Sequence, residues 1–232
     1  MEVGLVVVGD EILSGKRRDR HFPALVEILG TRGMHLGGVE YIGDDPEKIT
    51  ATLRRSFSGS GVTFVCGGIG STPDDHTRRS AARALGVELV LHPEAEKRIG
   101  ERIAEIALQT GCSPDRQHPD NIRRMKMGEF PVGSHIIPNR ANRIPGFFIR
   151  SHYFLPGFPE MAHPMMEWVL DTYYREAFNT AMQAAKSVMV YGTFEAVLTP
   201  LMEEIEQTFP SVRTFSLPSS GKPLENSYIE LG

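Results

Sequence analysis

Leu5-Val6-Val7-Val8 is an unbroken apolar run that stops at Gly9-Asp10. A run this short and this apolar suits a strand covered on both faces, as in a parallel sheet. Phe22, Leu25, Val26 and Leu29 then recur at i, i+3, i+4 and i+7 ahead of Gly30 and Gly33, which predicts a helix with a glycine-marked end. A strand is expected near Leu36 to Ile42, followed by a helix opening at Asp45-Pro46 and lined by Ile49, Leu53 and Phe57. Val62-Thr63-Phe64-Val65-Cys66 reads as another buried strand, ending at Gly67-Gly68-Ile69-Gly70. The βαβαβ order calls for a mostly parallel sheet with helices on both faces.

The alternation continues with a helix over Thr77 to Leu85, a short strand Glu88 to Leu91 and a helix from Pro93 carrying Ala95, Ile99, Ile103 and Ile106. Between Thr110 and Gly128 the pattern fails: residues 112–120 read as loop, with Arg123, Arg124 and Lys126 as a basic cluster beyond it. Short strands are expected at His135 to Ile137, Phe147 to Ile149 and His152 to Leu155, then a helix whose core stripe is Met161, Met165, Trp168 and Val169. The tail reads as a separate αβ unit. It has a strand at Ser187 to Tyr191, a helix with Val197, Leu201 and Ile205 that Pro200 should kink or restart, and strands near Val212 to Phe215 and Ser227 to Leu231. Two domains are therefore expected, 1–175 and 185–232.

Composition narrows the classes. The 232 residues are 41% hydrophobic and 23% charged, enough apolar material for a packed core. Twenty-five basic against 29 acidic residues give a net charge of −4, which argues against a partner held mainly through nucleic-acid phosphates. Cys66 and Cys112 have neither disulfide-framework nor metal-ligand spacing, and both are expected as small buried apolar residues. No basic leader precedes the first strand and no apolar stretch has the length of a membrane span, so a cytoplasmic location is expected.

Candidate chemistry sits where the strands end. In open parallel sheets ligands lie beyond the carboxyl ends of the strands. Two polar motifs fall there: Gly9-Asp10-Glu11 through Gly15, and Gly67-Gly68-Ile69-Gly70-Ser71-Thr72 through Asp74, Asp75, His76 and Thr77. Glycines permit close backbone approach, so successive N–H groups can cradle an anion, and Ser71 and Thr72 add hydroxyl donors. Carboxylates beside a phosphate repel it unless a divalent cation bridges the two. The competing reading is that the glycines only turn the chain and Asp74 or Asp75 caps the next helix. Two such loops after neighbouring strands favour a site. Neither G-x-G-x-x-G at Gly9 nor a P-loop lysine after Gly70 is present, so Rossmann and P-loop readings fall away.

These segments, together with Gly43-Asp44-Asp45-Pro46, Pro138-Asn139, Ile144-Pro145-Gly146-Phe147 and Leu155-Pro156-Gly157-Phe158-Pro159, resemble the molybdopterin-binding domain family over roughly residues 3–172. Within it they are most similar to the N-terminal part of competence/damage-inducible protein A (CinA). The tail after Ser187 resembles, more weakly, a small KH-like αβ domain. The resemblance implies a three-layer α/β fold, homo-oligomerisation, and a small phosphorylated ligand, either a nucleotide or molybdopterin. It also implies metal-dependent hydrolysis of the ADP-ribose pyrophosphate, with no amidase activity in this stretch. Asp75 and Asp44 are the expected catalytic pair and, with Asp10, would hold a magnesium or cobalt ion. Gly9, Asp10, Glu11, Gly67, Gly68, Gly70, Ser71, Thr72, Asp74, Thr77, Asn139, Pro156 and Gly157 are expected around the ligand. Ser71 stands where the family has proline, His21 where it has asparagine, and Ile144 where it has a small residue.

Overall fold

The structure is a computed structural model that describes residues 2–180, 186–219 and 227–232. It divides into two compact units, Met1–Ala181 and Met182–Gly232. Residues 181–185, including the expected start of the second domain, lie outside the described residues.

The first unit is built on a six-stranded sheet. Strands β1 (Val3–Val8), β2 (Leu36–Ile42), β3 (Val62–Cys66), β6 (His135–Ile137), β7 (Gly146–Ile149) and β8 (His152–Leu155) lie in the order β2-β1-β3-β8-β7-β6. The first four in that order run parallel, and β7 and β6 add two antiparallel pairings at the edge. A one-turn helix α1 (Asp10–Leu13) follows β1, and the alternation along β1 explains the layers. Val3, Leu5 and Val7 enter one core with Leu25 and Leu29 of α2 (His21–Gly30) and Met165, Met166 and Val169 of α7 (Pro159–Tyr173). Val6 and Val8 enter the other, with Ile49 and Leu53 of α3 (Pro46–Phe57), Ala81 of α4 (Thr77–Leu85) and Ile99 of α5 (Pro93–Thr110). Both faces of β1 and β3 are thus covered, which is why their sequences read as continuous apolar runs. This is a three-layer α/β fold with a mostly parallel central sheet.

Local signals set the helix ends. Asp45 caps α3 by accepting the N–H of Glu47 at 2.8 Å, with Pro46 in the first turn. Gly111 ends α5 in the left-handed conformation.

The stretch read as loop contains a helix, α6 (Pro119–Lys126), capped by the side chain of His118. Asn121 is its one buried residue, so it carries no apolar stripe for periodicity to detect. A three-residue strand β5 (Glu129–Pro131) follows and pairs antiparallel with β4 (Leu89–Leu91) in a separate two-stranded sheet. Cys66 is fully buried, whereas Cys112 is exposed in the loop beyond α5, contrary to expectation.

The second unit is a three-stranded antiparallel sheet, β10 (Ser216–Pro218), β11 (Tyr228–Leu231) and β9 (Val188–Tyr191), with helix α8 (Glu195–Thr208). One helix passes through Pro200, so the chain does not restart there. The strand expected at Val212 to Phe215 begins instead at Ser216. Thr214 gives both its N–H and its hydroxyl to the Glu206 carboxylate instead of to a neighbouring strand, and the backbone pairing opens with Phe215 and Gly232 exchanging hydrogen bonds.

Candidate functional site

Strands β2, β1, β3 and β8 end on the same side of the sheet, and a cavity of about 380 Å³ opens over those ends in the first unit. Following the sheet order, the cavity is lined by Asp44 after β2, by Gly9, Glu11 and Arg17 after β1, by Gly67 through Thr72 with Asp74 and Asp75 after β3, and by Pro156, Gly157 and Phe158 after β8. Asn139, Asn142, Ile144, Pro145, Met127 and Met161 close the far wall. The lining therefore grades from charged at the β2–β1 end to apolar beyond β8.

The glycine turn is shaped by the close approach of its neighbours. Gly67 continues the ladder, its N–H donating to the Leu155 carbonyl at 3.0 Å, and has φ +105°. A Cβ there would run into the carbonyl oxygen of Val8, so only glycine fits. Gly68 (φ +67°) is packed against Thr77, whose N–H donates back to the Gly68 carbonyl at 2.9 Å. Thr77 is fully buried beneath the turn rather than in the cavity wall, and its hydroxyl has no hydrogen-bond partner among the described residues.

Neither Asp74 nor Asp75 caps α4; its N-cap is His76, which makes no side-chain capping bond. Asp75 instead closes its own loop, Oδ2 accepting the Thr72 N–H at 2.8 Å and the Thr72 hydroxyl at 2.5 Å. Arg78, 7% exposed, braces the loop from behind by donating to the carbonyls of Gly70, at 2.5 Å, and Lys126. Nothing local in the sequence distinguishes Arg78, a buried arginine on a helix, from an exposed one.

Asp10 is placed beside the cavity, not in its lining. Its Oδ1 accepts the Asp44 N–H at 3.3 Å, and the Asp44 Oδ2 accepts the Asp10 N–H at 2.9 Å. Burial pushes the Asp44 carboxyl above the usual carboxylate range. The Asp10 N–H opposes that shift, while the charges of Asp10, Glu11 and Asp74 add to it. Among the described residues no three histidine, cysteine, aspartate or glutamate side chains come together as a metal cage. Of the three residues expected at a cation, Asp44 and Asp75 line the cavity, whereas Asp10 stands beside it with one oxygen on the Asp44 N–H.

On the other wall, Asn139 accepts the Ala141 N–H at 3.0 Å and donates to Asn142 Oδ1 at 2.9 Å, so it chiefly holds the turn that presents Asn142 and Ile144. Phe158 is half exposed at the cavity wall. Met161 also lines the cavity, although its spacing assigned it to the core stripe that Met165 and Val169 do occupy. His21, 4% exposed, places Nε2 3.2 Å from the Gly157 carbonyl oxygen. Burial holds its pKa below the usual histidine value. Part of the basic cluster adjoins the site: Arg123 and Lys126 border a small cleft behind Ser71 and Thr72, and Arg123 is paired with Asp120 at 3.0 Å.

The parallel strand ends, the glycine turn and the graded cavity define an α/β domain with a cavity over the carboxyl ends of its parallel strands. Residues 4–176 match the family described as a probable molybdopterin binding domain, and the chain belongs to that family. It is 30% identical over 220 residues to a CinA-like protein of Syntrophotalea carbinolica, covering 90% of this chain and 51% of the relative. It is 32% identical over 207 residues to a CinA-like protein of Citrifermentans bemidjiense, covering 88% and 47%. The chain thus spans about half the length of these curated relatives. In fold it is similar to the crystal structure of CinA, of unknown function, from Thermoplasma acidophilum. The TM-score is 0.58 at 22% identity, covering 74% of this chain and 98% of that one. No helix among the described residues is long and apolar enough to cross a membrane.

Proposed function

We propose that the cavity binds a small phosphorylated nucleotide or pterin, and that the chain hydrolyses a phosphoanhydride, with ADP-ribose as the candidate substrate. The observation that carries this reading is the lining itself. The Gly67–Ser71 turn and the carboxylates of Asp44 and Asp75 share one cavity with an apolar wall of Ile144, Pro145, Phe158 and Met161. Backbone N–H groups of the turn take phosphate oxygens, and the flat side of a purine or pterin lies on the apolar wall.

Four carboxylates, Glu11, Asp44, Asp74 and Asp75, line the same space. Their repulsion of a phosphate has to be offset during hydrolysis, and a magnesium or cobalt ion carried in by the pyrophosphate would supply the charge. Asp44 and Asp75 would hold such an ion, each keeping one oxygen that makes no hydrogen bond to another described residue. The same two carboxylates orient water toward phosphorus.

A second reading, binding of molybdopterin or its adenylylation, is favoured by the family match over residues 4–176. A third, a nucleotide sensor without turnover, is favoured by the mutual engagement of Asp10 and Asp44. Thermal shift across ADP-ribose, ATP, FAD, NAD and molybdopterin, with and without magnesium, manganese or cobalt, separates them. A ligand at 100 times its Kd stabilises by about 2.7 kcal/mol. Stabilisation plus cation-dependent release of AMP from ADP-ribose is the expected result; stabilisation without turnover supports the sensor, and no stabilisation by any compound rejects the site. Homo-oligomerisation belongs to the same proposal and is read by light scattering.

A further inference from the structure

We infer that Arg17 is a second anion contact in this cavity, and that it makes the site selective for ligands carrying two linked phosphoryl groups over one. The inference rests on the binding reading above and names the ligand class more narrowly.

Among the described residues Arg17 is the single cation in the cavity lining, facing a lining with four carboxylates. Its side chain is exposed at the cavity and makes no ion pair and no hydrogen bond to another described residue. An unpaired guanidinium in such a cavity keeps its planar fork of donors free, and that fork matches two oxygens of one phosphate. Its backbone is fixed on both sides. The Arg17 N–H donates to the Glu11 carbonyl at 3.0 Å, and two residues on, Asp19 accepts the N–H groups of His21 and Phe22 at 2.8 and 3.0 Å. Arg17 is therefore held over the end of β1 rather than carried on a free loop.

The sheet order supplies the rest. Moving from β8 to β3 to β1, the lining passes from the apolar wall to the glycine turn and then to Arg17. β1 and β3 are neighbours in the sheet, so the loop that carries Arg17 and the glycine turn enter the cavity from adjoining strands. A ring on the apolar wall with its first phosphate on the glycine turn directs the second phosphate at Arg17. Arg17 also supplies positive charge against the carboxylates, so binding proceeds without a metal even where hydrolysis needs one.

The experiment is calorimetric titration of the full chain with AMP and with ADP in EDTA. The wild-type chain is compared with Arg17→Gln, Arg17→Lys and, as a control of equal charge change outside the lining, Arg18→Gln. The expected result is a preference for ADP over AMP of at least about tenfold, from one charge-assisted contact. That preference should vanish in Arg17→Gln through loss of ADP affinity alone, survive in part in Arg17→Lys and persist in Arg18→Gln. An unchanged ADP-to-AMP ratio in Arg17→Gln, or equal loss in Arg18→Gln, overturns the inference and leaves the binding reading standing. Failure of the wild-type chain to bind either nucleotide, with or without magnesium, overturns both. Melting temperatures of the variants confirm that each is folded.

Discussion

Asp10 and Asp44 each accept the backbone N–H of the other, at 3.3 and 2.9 Å, and so clasp the loops that follow β1 and β2. Each spends one carboxylate oxygen in the clasp, and Asp44 alone of the two also lines the cavity. The clasp and the proposed chemistry are therefore separable. Asp10→Ala removes an acceptor without touching the lining and should cost about 1 kcal/mol. Asp44→Asn keeps an acceptor for the Asp10 N–H while removing a charge that burial and three neighbouring carboxylates oppose. Its thermal midpoint at pH 7 should be unchanged or raised, while phosphoanhydride hydrolysis falls steeply. A clear fall in the midpoint of Asp44→Asn would show that its charge holds the loop together.

The glycine turn makes a sharper stability prediction. Gly67→Ala adds a methyl group that meets the Val8 carbonyl in a left-handed backbone, so conformational strain and collision act together. Gly15 has φ +71° with open space around it, so Gly15→Ala meets only the strain, about 1 kcal/mol. Gly67→Ala should cost at least about twice as much in urea unfolding and abolish the ligand-induced shift. Equal costs at the two positions would mean that the turn has room to move.

A third prediction lies at the opposite end of the sheet. His152, 2% exposed, bonds the Ser56 hydroxyl at 2.8 Å, and burial pushes its pKa from 6.5 down to about 4. The nearby Arg150 adds to that shift and the hydrogen bond with Ser56 opposes it. The unfolded chain thus binds the proton more tightly than the folded one. The contribution of His152 is complete above pH 6.5 and is lost as pH falls toward 4, amounting to about 3 kcal/mol over that window. Urea midpoints at pH 7.0, 5.5 and 4.5 should fall in step for the wild-type chain and less steeply for His152→Gln. Parallel slopes in the two proteins would assign the acid sensitivity elsewhere.

The elements legible in the sequence are those whose burial is written into consecutive residues. Strands β1 and β3 have both faces covered, and α3 announces itself with Asp45-Pro46 and a clear stripe. Helix α6 was hidden because its stability rests on the His118 cap and on Asn121 bonding the carbonyls of Ser113 and Asp115, not on an apolar face. The glycine turn and Asp75 were visible as a motif at a strand end. Arg78 and Met161 were not, since one depends on carbonyls at positions 70 and 126 meeting in space. The other sits in the first turn of α7, where the helix rises over the cavity instead of the core.

Asp75 offers the most direct test of chemistry. Its Oδ2 is occupied by the N–H and hydroxyl of Thr72, which fixes the carboxylate at the mouth of the glycine turn and leaves Oδ1 free to hold a cation or water. Asp75→Asn retains one carbonyl oxygen for the Thr72 donors, so the loop should keep its shape and the melting temperature should change little. What is lost is the negative charge. Cation-dependent hydrolysis of ADP-ribose should fall at least about 100-fold, the effect of removing one strong electrostatic contact from a catalytic site. Nucleotide affinity in EDTA should rise in the same variant, because a repulsive charge beside the phosphate has gone. Activity and binding that move in opposite directions are the signature of a carboxylate that holds the cation. If both fall together, Asp75 serves the shape of the loop. If hydrolysis survives EDTA as well as Asp75→Asn, neither the cation nor its proposed ligand is needed, and the mechanism is wrong.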